Sequence, residues 1–325
     1  MPNPDDFLVV EGLCASLGRS EVLHNIGFGL GRAELLALMG PNGSGKTTLL
    51  RVIAGLERPT SGRVVLDGVD VTGWPAHRRR IALLAQDPAL LPGRSVLENA
   101  AYGPLVQGRP PGEARSLGIE ALRNVRLEEL AGRPASALSG GERQRVALAR
   151  VIAARPRVVL LDEPFASIDP EVRGELRGEF RRILSDLGIP SIHVTHDREE
   201  GLFLGDRVAI LLDGRLEPPG TPSEVLDHPA SARVARFLGY SVLATKDGTV
   251  ALDAAEIRIV PVEEGLVRAE LLASGRTGRE EVAILRTDAG DRVEVRVPLR
   301  TIWPRPGTVV GLRWEHARAL PEETP

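Results

Sequence analysis

The segment Gly40-Pro41-Asn42-Gly43-Ser44-Gly45-Lys46-Thr47-Thr48 limits the fold more than any other stretch of this 325-residue chain. It follows ELLALM, a continuous apolar run that reads as a strand buried on both faces. It precedes TTLLRVIAGL, where Leu49, Val52, Ile53 and Leu56 recur at helical spacing. Strand, glycine loop and helix, in that order, are the setting a phosphate-binding loop needs. Gly40, Gly45, Lys46 and Thr47 meet the spacing G-x-x-x-x-G-K-[ST]. The glycines let the backbone N–H groups of residues 43–48 approach phosphate oxygens, and the helix start adds partial positive charge. The choice of cation points the same way. Of 41 Lys and Arg residues, only Lys46 and Lys246 are lysines. A compact ammonium fits between two phosphates, where the wide guanidinium fork does not. Residues 40–48 are therefore expected to bind a nucleoside triphosphate, with the Thr47 hydroxyl on Mg²⁺.

Two further segments carry chemistry. VVLLDEP reads as a second buried strand that delivers Asp162 and Glu163 at its C-terminal end, where α/β sheets bind ligands. Asp162 is expected to hold the Mg²⁺ shell, and Glu163 to polarise a water against the terminal phosphate. LSGGERQR holds a capping box, Ser139 with Glu142, at the start of a helix. Such a box needs no glycines, yet Gly140 and Gly141 bare the first N–H groups and make a second anion site. One nucleotide does not need both sites from one chain. Two copies placed head to tail would let each serine-glycine turn close over the other's phosphate.

In their chain order the segments resemble the ATP-binding cassette (ABC) proteins. GPNGSGKT and VVLLDE resemble the Walker A and Walker B elements, and LSGGERQR resembles the family signature. Gln86, after RIALLAQ, is similar to the Q-loop glutamine, which contacts Mg²⁺ and the attacking water. Asp169 in SIDP resembles the D-loop aspartate, which crosses the dimer interface. His196 in HVTHD resembles the switch histidine that touches the γ-phosphate. The likeness covers residues 7–238. It implies a P-loop α/β nucleotide-binding domain with a helical subdomain, ATP and Mg²⁺ as cofactors, and an ATP-sandwiched head-to-tail dimer. It assigns catalysis to Glu163, His196 and Gln86, and Mg²⁺ to Thr47, Gln86 and Asp162. Nucleotide contacts fall to residues 40–48 and to Ser139, Gly140 and Gly141. One departure bears on the base: Leu17 stands where the family places an adenine-stacking aromatic.

Strands alternate with helices up to about residue 218, with residues 95–135 mostly helical apart from a Pro/Gly break at 108–112. The expected domains are 1–238 and a β-rich tail, 239–325. In DRVEVRVPL, Val293, Val295 and Val297 share one face. The continuation TPSEVLDHPASARVARFLG and the tail resemble importers of sulfate, molybdate, ferric iron, polyamines and sugars. Their tails form small all-β, oligonucleotide-binding-like (TOBE) barrels used in regulation. That resemblance implies an ATPase subunit driving uptake of a small solute, an inorganic ion such as molybdate, tungstate, sulfate or ferric iron. Its partners would be two membrane permease subunits and, indirectly, a solute-binding protein. An exporter ATPase and a soluble ABC ATPase are the alternatives. Exporter cassettes usually end near the position of residue 230 or are fused to membrane helices, and soluble kinds tend to carry two cassettes or a long coiled coil.

Composition narrows the partners. Net charge is −3, which gives no sign of a nucleic-acid partner. The first twelve residues lack the basic start and apolar core of a leader. No apolar run approaches the roughly 18 residues that span a bilayer. The expected place is peripheral, on the cytoplasmic face of the membrane. Cys14 reads as a small buried hydrophobe, HRRR at 77–80 as a solvated edge, and His193 as a packing residue of its strand. His24, His77, His228 and His316 show no metal-ligand spacing.

Overall fold

The structure is a computed structural model that describes residues 6–87, 89–278, 280–298 and 303–321. The first residues, read above for a leader, lie in part outside them. The chain divides into two compact units, Met1–Pro222 and Ser223–Pro325.

In chain order the first unit runs β1 (Leu8–Leu17), β2 (Ser20–Leu30), β3 (Leu35–Met39), α1 (Lys46–Ala54), β4 (Ser61–Leu66), β5 (Val69–Asp70), α2 (Ala76–Arg79) and β6 (Ile81–Leu84). It continues as α3 (Val96–Val106), α4 (Pro111–Asn124), α5 (Gly140–Ala153), β7 (Val158–Asp162), α6 (Pro170–Asp186), β8 (Ser191–Thr195), α7 (Arg198–Leu204), β9 (Arg207–Leu212) and β10 (Arg215–Leu216). Six strands form one sheet in the order β10-β9-β3-β8-β7-β6, parallel except for the edge strand β10. A second, antiparallel sheet has the order β2-β1-β4-β5.

The apolar runs are continuous because both faces of the parallel sheet are covered. Along β7, Val159 and Leu161 pack with helices α3 to α6, while Val158 and Leu160 pack with α1 and the antiparallel sheet. Strand parity thus decides which face each residue serves. Asp162, next in line after Leu161, falls on the α1 side, which places it beside the phosphate loop.

The helical layer follows from local signals. Both α3 and α5 begin with a complete capping box, Ser95 with Glu98 and Ser139 with Glu142. Pro110 and Pro111 separate α3 from α4. Buried Asn99 of α3 accepts a hydrogen bond from the Leu91 N–H at 2.7 Å, so the segment after Gln86 is tied to this layer.

Three expectations need correction. Leu56 is 53% exposed, because Gly55 turns left-handed (φ 78°) and ends α1 before the apolar stripe is complete. Arg79 is not solvated: it is 3% exposed, and its guanidinium donates to the carbonyls of Val52 (2.8 Å) and Ile53 (2.9 Å) at the end of α1. Cys14 is only half-buried, and its Sγ accepts from the Asn25 N–H at 3.3 Å.

The second unit takes in helix α9 (Ala232–Leu238), which follows α8 (Pro222–Asp227); beyond it the described residues form strands and one 3-10 turn. Ala232 and Ala235 of α9 pack on Val242 and Ala251. The compact division thus groups α9 with the strands that follow it. The strands are β11 (Ser241–Thr245), β12 (Gly248–Leu252), β13 (Arg258–Val260), β14 (Val267–Thr277), β15 (Glu280–Thr287), β16 (Arg292–Pro298), β17 (Val309–Arg313) and β18 (Arg318–Ala319). They form sheets ordered β11-β12-β18 and β13-β17-β14-β15-β16. Val293 and Val295 are fully buried in one cluster with Leu243, Leu252 and Leu285.

Candidate functional site: the nucleotide pocket and its catalytic edge

The phosphate loop leaves β3 at Met39 and becomes α1 at Lys46. Gly45 caps the helix at φ 105°, and a Cβ there would lie 2.8 Å from a Leu23 methyl, so only glycine fits. Lys46 is 5% exposed, and its Nζ donates to the carbonyl oxygens of Gly40 (2.8 Å) and Pro41 (2.9 Å). Burial holds the Lys46 ammonium below its ordinary pKa, opposed by the charges of Glu163 and Asp162. The Ser44 hydroxyl is buried with no hydrogen-bond partner among the described residues. An orphaned hydroxyl, a held ammonium and bare backbone N–H groups together fit a polyphosphate. The recess beside the loop has a volume of about 310 Å³. Asn42, Lys46, Thr47, Thr48 and Glu163 supply its polar lining; Leu17 and Val22 of the β1–β2 hairpin supply its apolar side chains.

At the end of β7 the two carboxylates take different partners. Thr47 Oγ1 donates to Asp162 Oδ1 at 3.1 Å, and burial pushes the Asp162 carboxyl above its ordinary value. A hydroxyl and a carboxylate side by side are the hard oxygen donors that Mg²⁺ prefers. Glu163 follows with a left-handed backbone (φ 46°), its N–H donating to the Val194 carbonyl at 3.0 Å. Its Oε2 lies 2.9 Å from Nδ1 of His196, beyond the end of β8. A smaller recess of about 150 Å³ is lined by Glu163, His196, Thr195 and Asp197, among others. Glu163 therefore lines both recesses.

Comparison with known proteins gives the family. The family model of the ABC transporter matches residues 23–166. The Fe(3+) ions import ATP-binding protein of Streptomyces coelicolor is 39% identical over 337 residues, spanning 97% of this chain and 96% of that protein. The chain belongs to the ATP-binding proteins of ABC transporters, in their import group. The sulfate/thiosulfate import ATP-binding protein of Burkholderia mallei is 48% identical over 247 residues, covering 75% of this chain and 70% of that one. Among solved structures, CbiO1 from Clostridium perfringens, part of an ABC transporter complex, superposes with a TM-score of 0.63 at 32% identity. The match spans 68% of this chain and 90% of that one. This ABC protein is accordingly an ATPase coupled to transport, with the α/β cassette fold and an all-β C-terminal region.

The fold of this ABC ATPase gathers some expected site residues and leaves others apart. Residues of the loop, Asp162, Glu163 and His196 come together. Gln86 is exposed after β6 and lines neither recess. Ser139, Gly140 and Gly141 form the first turn of α5 and line neither recess of their own chain. Asp169 caps α6, accepting from the Glu171 N–H at 3.0 Å. His193 packs as expected, fully buried with its ring 5.7 Å from that of Phe165, but its Nε2 also meets Glu200 Oε1 at 2.7 Å. Sequence reading passed over Val22, Asp197 and Glu200. Asp197 could have been found, because an aspartate just before REEGLFL is a helix cap.

Proposed function

We propose that two copies of this chain form the ATP-driven engine of an importer for a small inorganic ion, seated on two permease subunits at the cytoplasmic face of the membrane. A solute-binding protein would deliver the ion to those permeases. The observation that carries the catalytic part is Glu163. One carboxylate borders the phosphate recess and pairs with His196 at 2.9 Å.

Residues 40–48 bind and orient the triphosphate, with Lys46 and the backbone N–H groups neutralising its oxygens. Bound at Thr47 and Asp162, Mg²⁺ would supply further charge neutralisation; Gln86 would reach this shell when the cassettes close. Glu163 accepts the proton of the attacking water, and His196 holds that carboxylate in place and contacts the terminal phosphate. Ser139, Gly140 and Gly141 start α5 and line neither the phosphate-loop recess nor the Glu163–His196 recess, which supports a role on the facing copy's nucleotide. The C-terminal unit, whose described residues beyond α9 are mainly strands, acts as a TOBE-like regulatory domain. Ferric iron is the first candidate solute, because the relative named for it matches through that unit.

Glu163→Gln tests the catalytic assignment. ATP binding should persist while turnover falls about 100-fold or more, trapping a nucleotide-bound dimer. Retained turnover would remove Glu163 from the base role. Affinity capture from gently solubilised membranes tests the rest: a multi-span permease should accompany the chain, and ribosomes or nucleic acid without one would overturn the importer assignment.

A further inference from the structure

His196 has a half-exposed side chain, 50% by relative area, and among the described residues its ring pairs only with Glu163. The residues just after it are held far more firmly. Asp197 is the N-cap of α7, its Oδ1 accepting from the Glu200 N–H at 3.1 Å. Its Oδ2 accepts from Arg177 Nη2 of α6 at 2.7 Å. The same guanidinium donates through Nε to Glu200 Oε2 at 2.7 Å. The second oxygen of Glu200 faces His193 on β8. One arginine fork therefore grips the N-cap carboxylate of α7 and that of Glu200 in its first turn, directly after His196.

We propose that Arg177 is a positioning residue for catalysis, locking α6 to the start of α7 so that His196 stays in register with Glu163. The inference rests on reading Glu163 and His196 as the catalytic pair.

Three observations point beyond a plain stabilising contact. First, α7 has only seven residues, too few to hold its own first turn, so an outside anchor sets the backbone at His196. Second, the Arg177 and Glu200 side chains are only 14% and 5% exposed. A buried ion pair of this kind contributes little net stability but fixes geometry, since the planar fork admits few arrangements of its two partners. Third, Arg177 lies about two turns into the helix that Asp169 caps. Phe165, two residues past Glu163, meets Phe180 of the same helix edge-on with centroids 5.0 Å apart. Both halves of the catalytic pair thus lean on α6, one through Phe165 and the other through Arg177. A shift of the Asp169 end of α6 would reach the pair through a rigid element.

The test is a double-mutant cycle on the full chain, reading kcat, KM and nucleotide affinity of ATP hydrolysis. Arg177→Met should lower kcat about tenfold or more and leave KM and ATP affinity within about twofold, because it touches no residue of the phosphate loop. In a His196→Ala background the same change should cost less than about twofold in kcat, since the residue it positions is gone. A purely structural role would lower activity by the same factor in both backgrounds, and that result overturns the proposal. Wild-type kcat in Arg177→Met, with His196→Ala impaired, overturns it while sparing the catalytic pair. Full turnover in His196→Ala removes the pair itself and the proposal with it. Should Arg177→Met fail to fold, Arg177→Lys takes its place under the same criteria, keeping the charge and losing the fork.

Discussion

Replacing Arg79 with Met gives the sharpest test of the packing argument. The guanidinium donates four hydrogen bonds to carbonyls, those of Val52, Ile53, Thr72 and Trp74, at 2.7–3.0 Å. Two of these lie in the last turn of α1, where the Val52 carbonyl also accepts from the Gly55 N–H at 3.0 Å, and Gly55 leaves room for the guanidinium, whose Nε lies 2.5 Å from where a Cβ would stand. Methionine keeps much of the volume and none of the donors. Each carbonyl left without its charged donor costs about 1 kcal/mol, so the four together cost about 4 kcal/mol. Removing the cation returns part of this. Burial holds its pKa below the ordinary value and, among the described residues, no carboxylate hydrogen-bonds to it, so about 1–2 kcal/mol of desolvation is recovered. The net loss is about 2–3 kcal/mol. For a unit of this length that lowers the melting temperature by about 5–10 °C. Differential scanning calorimetry of the nucleotide-free chain at neutral pH measures it. A fall of less than about 2 °C would refute the claim that Arg79 closes the end of the phosphate-loop helix.

Other expectations concern the pocket and its surroundings. Leu17→Tyr should tighten ATP about fivefold, by adding a stacking face beside Val22, and should leave the ATP-to-GTP ratio unchanged. Equilibrium titration checks it, and unchanged ATP affinity would show that the base does not lie on Leu17. Asp162→Asn should not destabilise the nucleotide-free chain, because burial raises the pKa of this carboxyl and so disfavours its charged form in the fold. The same variant should lose the rise in melting temperature that Mg²⁺ and ATP give the parent, read by thermal melts with and without both. For Glu200, burial acts to raise its pKa, but His193, Thr195 and Arg177 outweigh it and hold the carboxyl below 4.5. Its folded value lies below its unfolded value, so its stabilisation is whole above about pH 4.5 and fades as pH falls through the folded value. The stability gap between the parent and Glu200→Gln should therefore narrow on acidification, and a gap constant from pH 7 to about 3.5 would refute this.

Much of the site is legible in the sequence because its parts are local. A glycine loop between a strand and a helix can be read from spacing alone. Asp162 and Glu163 can be read because a short apolar run ends in them. What escapes is set by partners distant in the chain. Arg79 sits in a run of cations that looks solvated, and its acceptors come from separate segments at 52–53, 72 and 74. Arg177 looks like one more charge on a polar helix until Asp197 and Glu200 are placed against it. Leu56 is different: Gly55 is a legible stop signal, and the apolar period alone runs past it. Spacing likewise does not disclose that Ala232 and Ala235 of α9 pack with Val242 and Ala251.

Lys46 has a consequence for how its mutants are interpreted. Of the three protons on its ammonium, two are engaged by the carbonyls of Gly40 and Pro41 before any phosphate arrives. The lysine is thus a clasp on its own loop as well as a counter-charge. Lost affinity in Lys46→Ala would mix an unfastened loop with a missing cation. Inorganic polyphosphate binding and the loop's own hydrogen-exchange protection, measured side by side, would separate the two.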